Sequence, residues 1–283
     1  FFAAIRVFYL FNVVSIEPAL LGAVAFGGAF LVHSYGTWKS GRGETTKVSV
    51  SLSGLPESWR GRKVAFITDV HLGDVLREGF AARVAKKVRN IGPYALFIGG
   101  DLYDGPACDE EKLIEPFRAL VRDLPGGAWF VTGNHEYYMT DLVPALRAVR
   151  GVGIKVLNNE VADIDGVQLL GVDDFAAHGA AEFKKVLGAI SIDPKRPSIL
   201  LKHVPLNLDV AAEKGISLTL CGHTHRGQIF PFTFLTGRIF KGYDYGLKPL
   251  GDMQVYTSSG VGTWGPPLRL GTRSEIAVIE FTS

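Results

Sequence analysis

Residues 64–71 read VAFITDVH. Val64–Thr68 is short and almost continuously apolar, the pattern of a strand covered on both faces. Asp69 and His71 follow at once. One residue separates them, so in extended backbone their side chains leave on the same face. Both types ligate divalent metals. The pair alone is common by chance, and its weight comes from the sequence on either side.

Downstream the arrangement recurs. Ala95–Ile98 (ALFI) runs into GGDLYDG, residues 99–105, with Asp101 directly behind two glycines. Glycine lets backbone approach a ligand closely. A carboxylate at that point can bridge two cations with its two oxygens, and Asp104 can orient a ligand from behind. Ala128–Thr132 (AWFVT) runs into GNHE, residues 133–136. Asn134 offers a carbonyl oxygen and His135 an imidazole that exchanges a proton near neutrality. Glu136 is placed to fix the tautomer or the loop. Ser198–Lys202 (SILLK) ends on His203, which alone reads as a core or capping histidine. Ser217–Leu220 (SLTL) ends on CGHTH, where His223 and His225 share the one-residue gap of Asp69 and His71. Cys221 reads as small strand packing.

Five of the seven histidines thus stand at strand ends, where open α/β sheets build sites. His33 and His178 do not. Further strands are expected at Val167–Leu170, Met253–Thr257 and Glu275–Phe281. Helical periods lie between: Phe80, Val84 and Val88 in Glu78–Asn90; Leu113, Phe117, Leu120 and Val121; Leu142, Leu146 and Val149; Phe183, Val186 and Leu187. Alternating strands and helices give an α/β fold with helices covering the sheet faces.

D-x-H, G-D-x-x-D, G-N-H-E, a lone His and G-H-T-H, in this order, resemble the calcineurin-like metallophosphoesterase superfamily over about Val64 to Phe281. The stretch QVYTSSGVGTWGPPLRLGTRSEI, residues 254–276, looks like the end of its membrane-associated YkuE/YaeI-type branch. The resemblance implies a double β-sheet sandwich flanked by helices. It implies one divalent metal held by Asp69, His71, Asp101 and His225, and a second held by Asp101, Asn134, His203 and His223. His135 then protonates or hydrogen-bonds the leaving oxygen. Two such cations can share a hydroxide, lower its pKa and direct it at phosphorus. Mixed N/O ligands suit Mn, Fe or Zn.

Composition agrees with a folded α/β chain: 283 residues, 47% hydrophobic, 20% charged, net charge +2. Two cysteines exclude a disulfide scaffold. Near-neutral charge argues against a broad nucleic-acid surface, and hence against a nuclease of this superfamily. A non-enzymatic metal-dependent membrane scaffold has no need of His135. Gly260–Gly265 (GVGTWG) matches G-x-G-x-x-G, but Pro266 and Pro267 follow, leaving no helix N-terminus for a pyrophosphate.

Mean hydropathy is +0.19, and the excess sits in the first 38 residues. Pro18–Trp38 carries no formal charge and as a helix reaches about 31 Å, enough to cross a hydrocarbon core. Val7–Ile16 is a second uncharged run, expected as the tail of another span. Residues 1–38 therefore read as a transmembrane segment, 39–46 as a linker and 47–283 as the catalytic domain. Lys39, Arg42 and Lys47 follow the span and only Arg6 precedes it, which favours a cytoplasmic domain. A further upstream span reverses that, so the side stays open.

The expected substrate is a phosphodiester or pyrophosphate, small or lipid-linked, such as a UDP-acylglucosamine. The superfamily pyrophosphatases for that compound carry Arg where His135 stands. Phe230, Phe232 and Phe234 alternate as in a strand with one packed face, or as an apolar lip meeting lipid or an acyl chain. Lys241, Lys248 and Arg269 are placed to meet phosphate or headgroups.

Overall fold

A computed structural model of the protein describes residues 17–105 and 109–282. The Val7–Ile16 run and Cys108 lie outside the described residues.

Two six-stranded sheets face each other. The first holds β1 (Glu44–Ser51), β2 (Lys63–Ile67), β3 (Ala95–Ile98), β4 (Ala128–Phe130), β5 (Lys155–Val156) and β12 (Glu275–Thr282), in the order β1-β12-β2-β3-β4-β5. The second holds β6 (Glu160–Ile164), β7 (Val167–Gly171), β8 (Ser198–Leu201), β9 (Leu218–Cys221), β10 (Gly246–Leu250) and β11 (Met253–Thr257), in the order β10-β11-β9-β8-β7-β6. β2, β3 and β4 run parallel, as do β7, β8, β9 and β11.

Strand alternation assigns each side chain to a layer. Val64 and Phe66 of β2 join Leu169, Ile199, Leu201, Leu218 and Leu220 in the core between the sheets. Ala65 and Ile67 point the other way, against Phe80 and Val84 of the Glu78–Ile91 helix and Val149 of the Leu142–Gly151 helix. Phe183, Leu187 and Ala211 cover the outer face of the second sheet, with buried Cys221 packed among them. Burial on both faces is what the continuous apolar runs predicted.

The eight expected strands form, with ends shifted by at most two residues. Four more were not anticipated: β1, β5, β6 and β10. All four are sheet edges, covered on one side at most. β1 and β6 carry mixed polar residues, β5 is two residues long, and β10 contains Pro249. Two expectations are corrected. The Leu113–Val121 period is not one helix but Glu110–Ile114, a 3-10 turn and Arg118–Arg122, because Pro116 lacks the amide the continuous ladder needs. The Phe230–Phe234 alternation is not a strand: Phe232–Ile239 is a helix, started after Pro231 and paced by Phe232, Leu235 and Ile239.

The N-terminal helix, Pro18–Ser40, is apolar on all sides and buries only Gly36 and Ser40 against the rest of the chain. An all-round apolar, unpacked helix fits a membrane span. Its last turn is tied to the domain. Arg269 donates its N–H to Gly36 O (3.0 Å), and Ser40 Oγ donates to Pro267 O (2.8 Å). Lys39 and Ser40 end this helix and Glu44–Thr46 begin β1, so only residues 41–43 lie between them.

Candidate metal centre

The parallel strands β2, β3, β4, β8 and β9 deliver their C-terminal loops to one edge, where both sheets contribute. Asp69 and His71 do converge, but not by extended backbone. Both sit in the left-handed region (φ 54° and 52°), as do Asp101 (50°), His223 (70°) and His225 (47°). Such φ values are uncommon outside glycine and cost of order 1 kcal/mol each, so their clustering marks a site held under strain. Neighbouring loops hold them: Asp69 N–H donates to Gly100 O and His71 N–H to Asp101 O, both at 3.0 Å.

Three donor groups result, Asp69–His71–His225, Asp101–His203–His223 and His71–Asp104–His135, each with its ligand atoms within 4.8 Å. In the first, His225 Nε2 lies 3.4 Å from Asp69 Oδ1 and 3.1 Å from His71 Nε2. In the second, His203 Nε2 lies 3.1 Å from Asp101 Oδ2. Asp101 Oδ2 also lies 3.9 Å from His71 Nε2, which puts this carboxylate between these two groups. Asn134 Oδ1 stands 2.8 Å from His223 Nδ1. All seven residues expected as metal ligands are therefore gathered here.

The donor chemistry fits divalent cations. His203 Nδ1 donates to Gly99 O (2.7 Å), which turns Nε2 toward a carboxylate, with no hydrogen-bond partner. That contact is repulsive unless a proton or a cation intervenes. Despite burial, Asp101 pulls His203 up to about 10, while His203 holds Asp101 far below the usual carboxylate range. Burial pushes His71 down to about 4, His223 to about 3 and His225 well below the ordinary value. Those three rings are neutral, the form that ligates metal. Burial likewise raises Asp69 to about 6, a cost a nearby cation offsets.

The supporting residues divide the work. Glu136 fixes the loops, not a tautomer. Its buried carboxylate accepts the N–H groups of Asp101 (3.0 Å), Leu102 (2.8 Å), Tyr103 (3.1 Å) and Gly133 (2.7 Å). Asp104 Oδ1 meets His135 Nδ1 at 2.8 Å, and His135 N–H donates to Asp101 Oδ1 at 2.9 Å. Burial favours the neutral His135 ring, but Asp104 and Asp101 outweigh it and raise its pKa.

Arg269 corrects the headgroup expectation. It is wholly buried and donates to the carbonyls of Ser259 (2.7 Å), Gly262 (2.7 Å) and Arg273 (3.1 Å), beside His225 Nδ1. It is a strut beneath the first donor group, and no spacing signal in the sequence pointed to it. Lys241 is exposed, and Lys248 Nζ donates to Gly242 O. The glycines of GVGTWG serve the same loops: a Cβ at Gly262 would lie 2.3 Å from Val70 O.

Gly133 gives a direct test of this packing. A Cβ there would lie 2.2 Å from Asp101 Oδ1 and 2.9 Å from His203 Cδ2. Gly133→Ala is expected to displace Asp101 and lower metal affinity by roughly 10–100-fold. Isothermal titration with Mn²⁺ reads this directly; unchanged affinity would contradict the geometry.

The site opens into a cavity of about 610 Å³. Asp101, Asn134, His135 and His223 line its floor, and Ile229, Phe232, Ile239, Phe240 and Trp264 form apolar walls.

The chain is 35% identical over 225 residues to an uncharacterized metallophosphoesterase of Helicobacter pylori strain J99, an alignment covering 77% of this chain and 59% of that protein. It is 34% identical to a transmembrane protein with metallophosphoesterase domain of Bos taurus, covering 82% of this chain and 55% of that one. It is 28% identical to the uncharacterized metallophosphoesterase YkuE of Bacillus subtilis, covering 85% and 86%. The chain thus spans under two thirds of the length of the first two. The calcineurin-like phosphoesterase family model matches residues 62–227, from the start of β2 through the His223–His225 loop and over more than half of the sequence, and the chain belongs to that family.

Proposed function

We propose that the chain is a dinuclear metal-dependent phosphoesterase. Membership of the family implies divalent metal ions. In this reading Asp69, His71, Asp101 and His225 hold one cation, and Asp101, Asn134, His203 and His223 the other, each being Mn, Fe or Zn. The observation that carries it is the position of Asp101 between two donor groups, 3.1 Å from His203 Nε2 and 3.9 Å from His71 Nε2. When bound, the cation pair supplies an activated water and neutralises charge on the phosphoryl oxygens.

The chain's own residues do the rest. Asn134 and His135 line the floor of the cavity beside Asp101, so a phosphoryl group lodged there lies against both. His135, its Nδ1 paired with Asp104 and its pKa raised, is placed to give a proton to the leaving oxygen through Nε2, the nitrogen not bonded to Asp104. Asp104 holds the ring in that orientation. Glu136 keeps the loops of Asp101 and Gly133 in register. The apolar walls shield the site from bulk water and suit a substrate with an apolar part next to its phosphoester, so we assign a lipid-linked diester or pyrophosphate. The N-terminal helix anchors the domain at the membrane that supplies it.

His135→Ala is the test. It is expected to lower kcat on bis(p-nitrophenyl) phosphate by about 10²–10⁴-fold with metal content unchanged. Unaltered turnover would remove His135 from the reaction.

A further inference from the structure

The helix Phe232–Ile239 has two apolar sides. Phe232, Thr236 and Ile239 line the cavity. Leu235, 52% exposed, flanks that side, and Phe234, 73% exposed, points away from it. Its ring packs edge-on against Phe230, itself 60% exposed, at 5.8 Å between centroids. Exposed Trp264 stands at the cavity wall beside Phe232. No residue of this helix is buried.

What covers the patch follows from its connection to the N-terminal helix. The segment 264–271 is bonded to both. On one side Arg269 N–H donates to Gly36 O, and a Cβ at Gly36 would lie 3.2 Å from Leu270 Cδ2. On the other, Phe230 N–H donates to Leu270 O (2.8 Å), Leu270 N–H donates to Gln228 O (3.1 Å), and Gln228 Nε2 donates to Trp264 O (2.8 Å). Phe230 therefore sits at the level where the N-terminal helix leaves the protein. Both elements end in basic residues. Lys39 and Arg42 close the N-terminal helix, Arg238 and Lys241 close the other, and none of the four is in an ion pair among the described residues. An apolar face edged by Lys and Arg is the pattern of a helix lying in a lipid interface.

We propose that Phe230, Phe234, Leu235 and Trp264 form a second membrane contact, seated in the interface of the leaflet that the N-terminal helix enters. The proposal rests on the reading of Pro18–Ser40 as a membrane span. The contact sets the mouth of the cavity against lipid, so an apolar substrate enters without crossing water.

The test uses the full chain with Cys108→Ser, reconstituted in vesicles containing anionic lipid, and a bimane label on one cysteine at a time: Phe30→Cys in the span, Phe234→Cys in the patch, and Lys195→Cys before β8, at the strand ends opposite the site. Lipids with dibrominated acyl chains are expected to quench the labels at 30 and 234 by roughly half or more, leaving 195 unchanged. Quenching at 30 but not at 234 overturns the contact while the span stands. Quenching at 234 but not at 30 keeps the contact and removes the span. An immobilised but unquenched label at 234 overturns the contact in favour of a second copy of the chain on this face.

Discussion

Asp101→Asn is expected to lower turnover by on the order of 10³-fold or more, equivalent to about 4 kcal/mol of transition-state stabilisation. The carboxylate stands 3.1 Å from His203 Nε2, 3.9 Å from His71 Nε2 and 4.0 Å from His135 Nε2, and its other oxygen accepts the His135 N–H. The amide keeps the shape and removes the charge. In the proposed reading it would leave Asp69 as the one carboxylate among the metal ligands and would replace the anion between the two donor groups by one carbonyl oxygen. Elemental analysis should show metal content falling along with the rate. Full metal content with normal turnover would mean that Asp101 is not the shared ligand.

Glu136→Ala is expected to cost at least about 3 kcal/mol of stability and to lower the melting temperature by roughly 6–12 °C. The substitution strands four N–H groups, those of Asp101, Leu102, Tyr103 and Gly133, around a buried void. Each unsatisfied buried donor costs about 1–3 kcal/mol, moderated where water enters. Glu136→Gln should lose less, because one of its two acceptor oxygens survives. Thermal unfolding of the full chain reads both. A shift of under about 2 °C for Glu136→Ala would show that the loops are held by other contacts.

The contrast between what sequence disclosed and what it did not has physical causes. Central strands such as β3 and β8 are covered on both faces, so ALFI and SILL are legible as continuous apolar runs. The edge strands β1, β5, β6 and β10 have no such requirement and leave a mixed signal. The donor residues were legible because they follow the runs directly. Their convergence was not: it depends on left-handed backbone at Asp69, His71, Asp101, His223 and His225, which no local preference in those residue types dictates. Arg269 reads from sequence as a phosphate or headgroup contact, yet its guanidinium is buried among backbone carbonyls brought from Ser259 to Arg273. Phe230, Phe232 and Phe234 satisfy a period of two by position alone, and only Leu235 and Ile239 bring out the helical spacing.

In the proposed reading, phosphoester hydrolysis would depend on two cations held by the residues around Asp101. The most direct measurement titrates metal-stripped full chain with Mn²⁺ and follows bis(p-nitrophenyl) phosphate hydrolysis against bound metal per chain. The account predicts negligible rate without metal and a plateau reached at about two bound ions per chain. Full activity without metal, or a plateau at about one ion per chain, would contradict it.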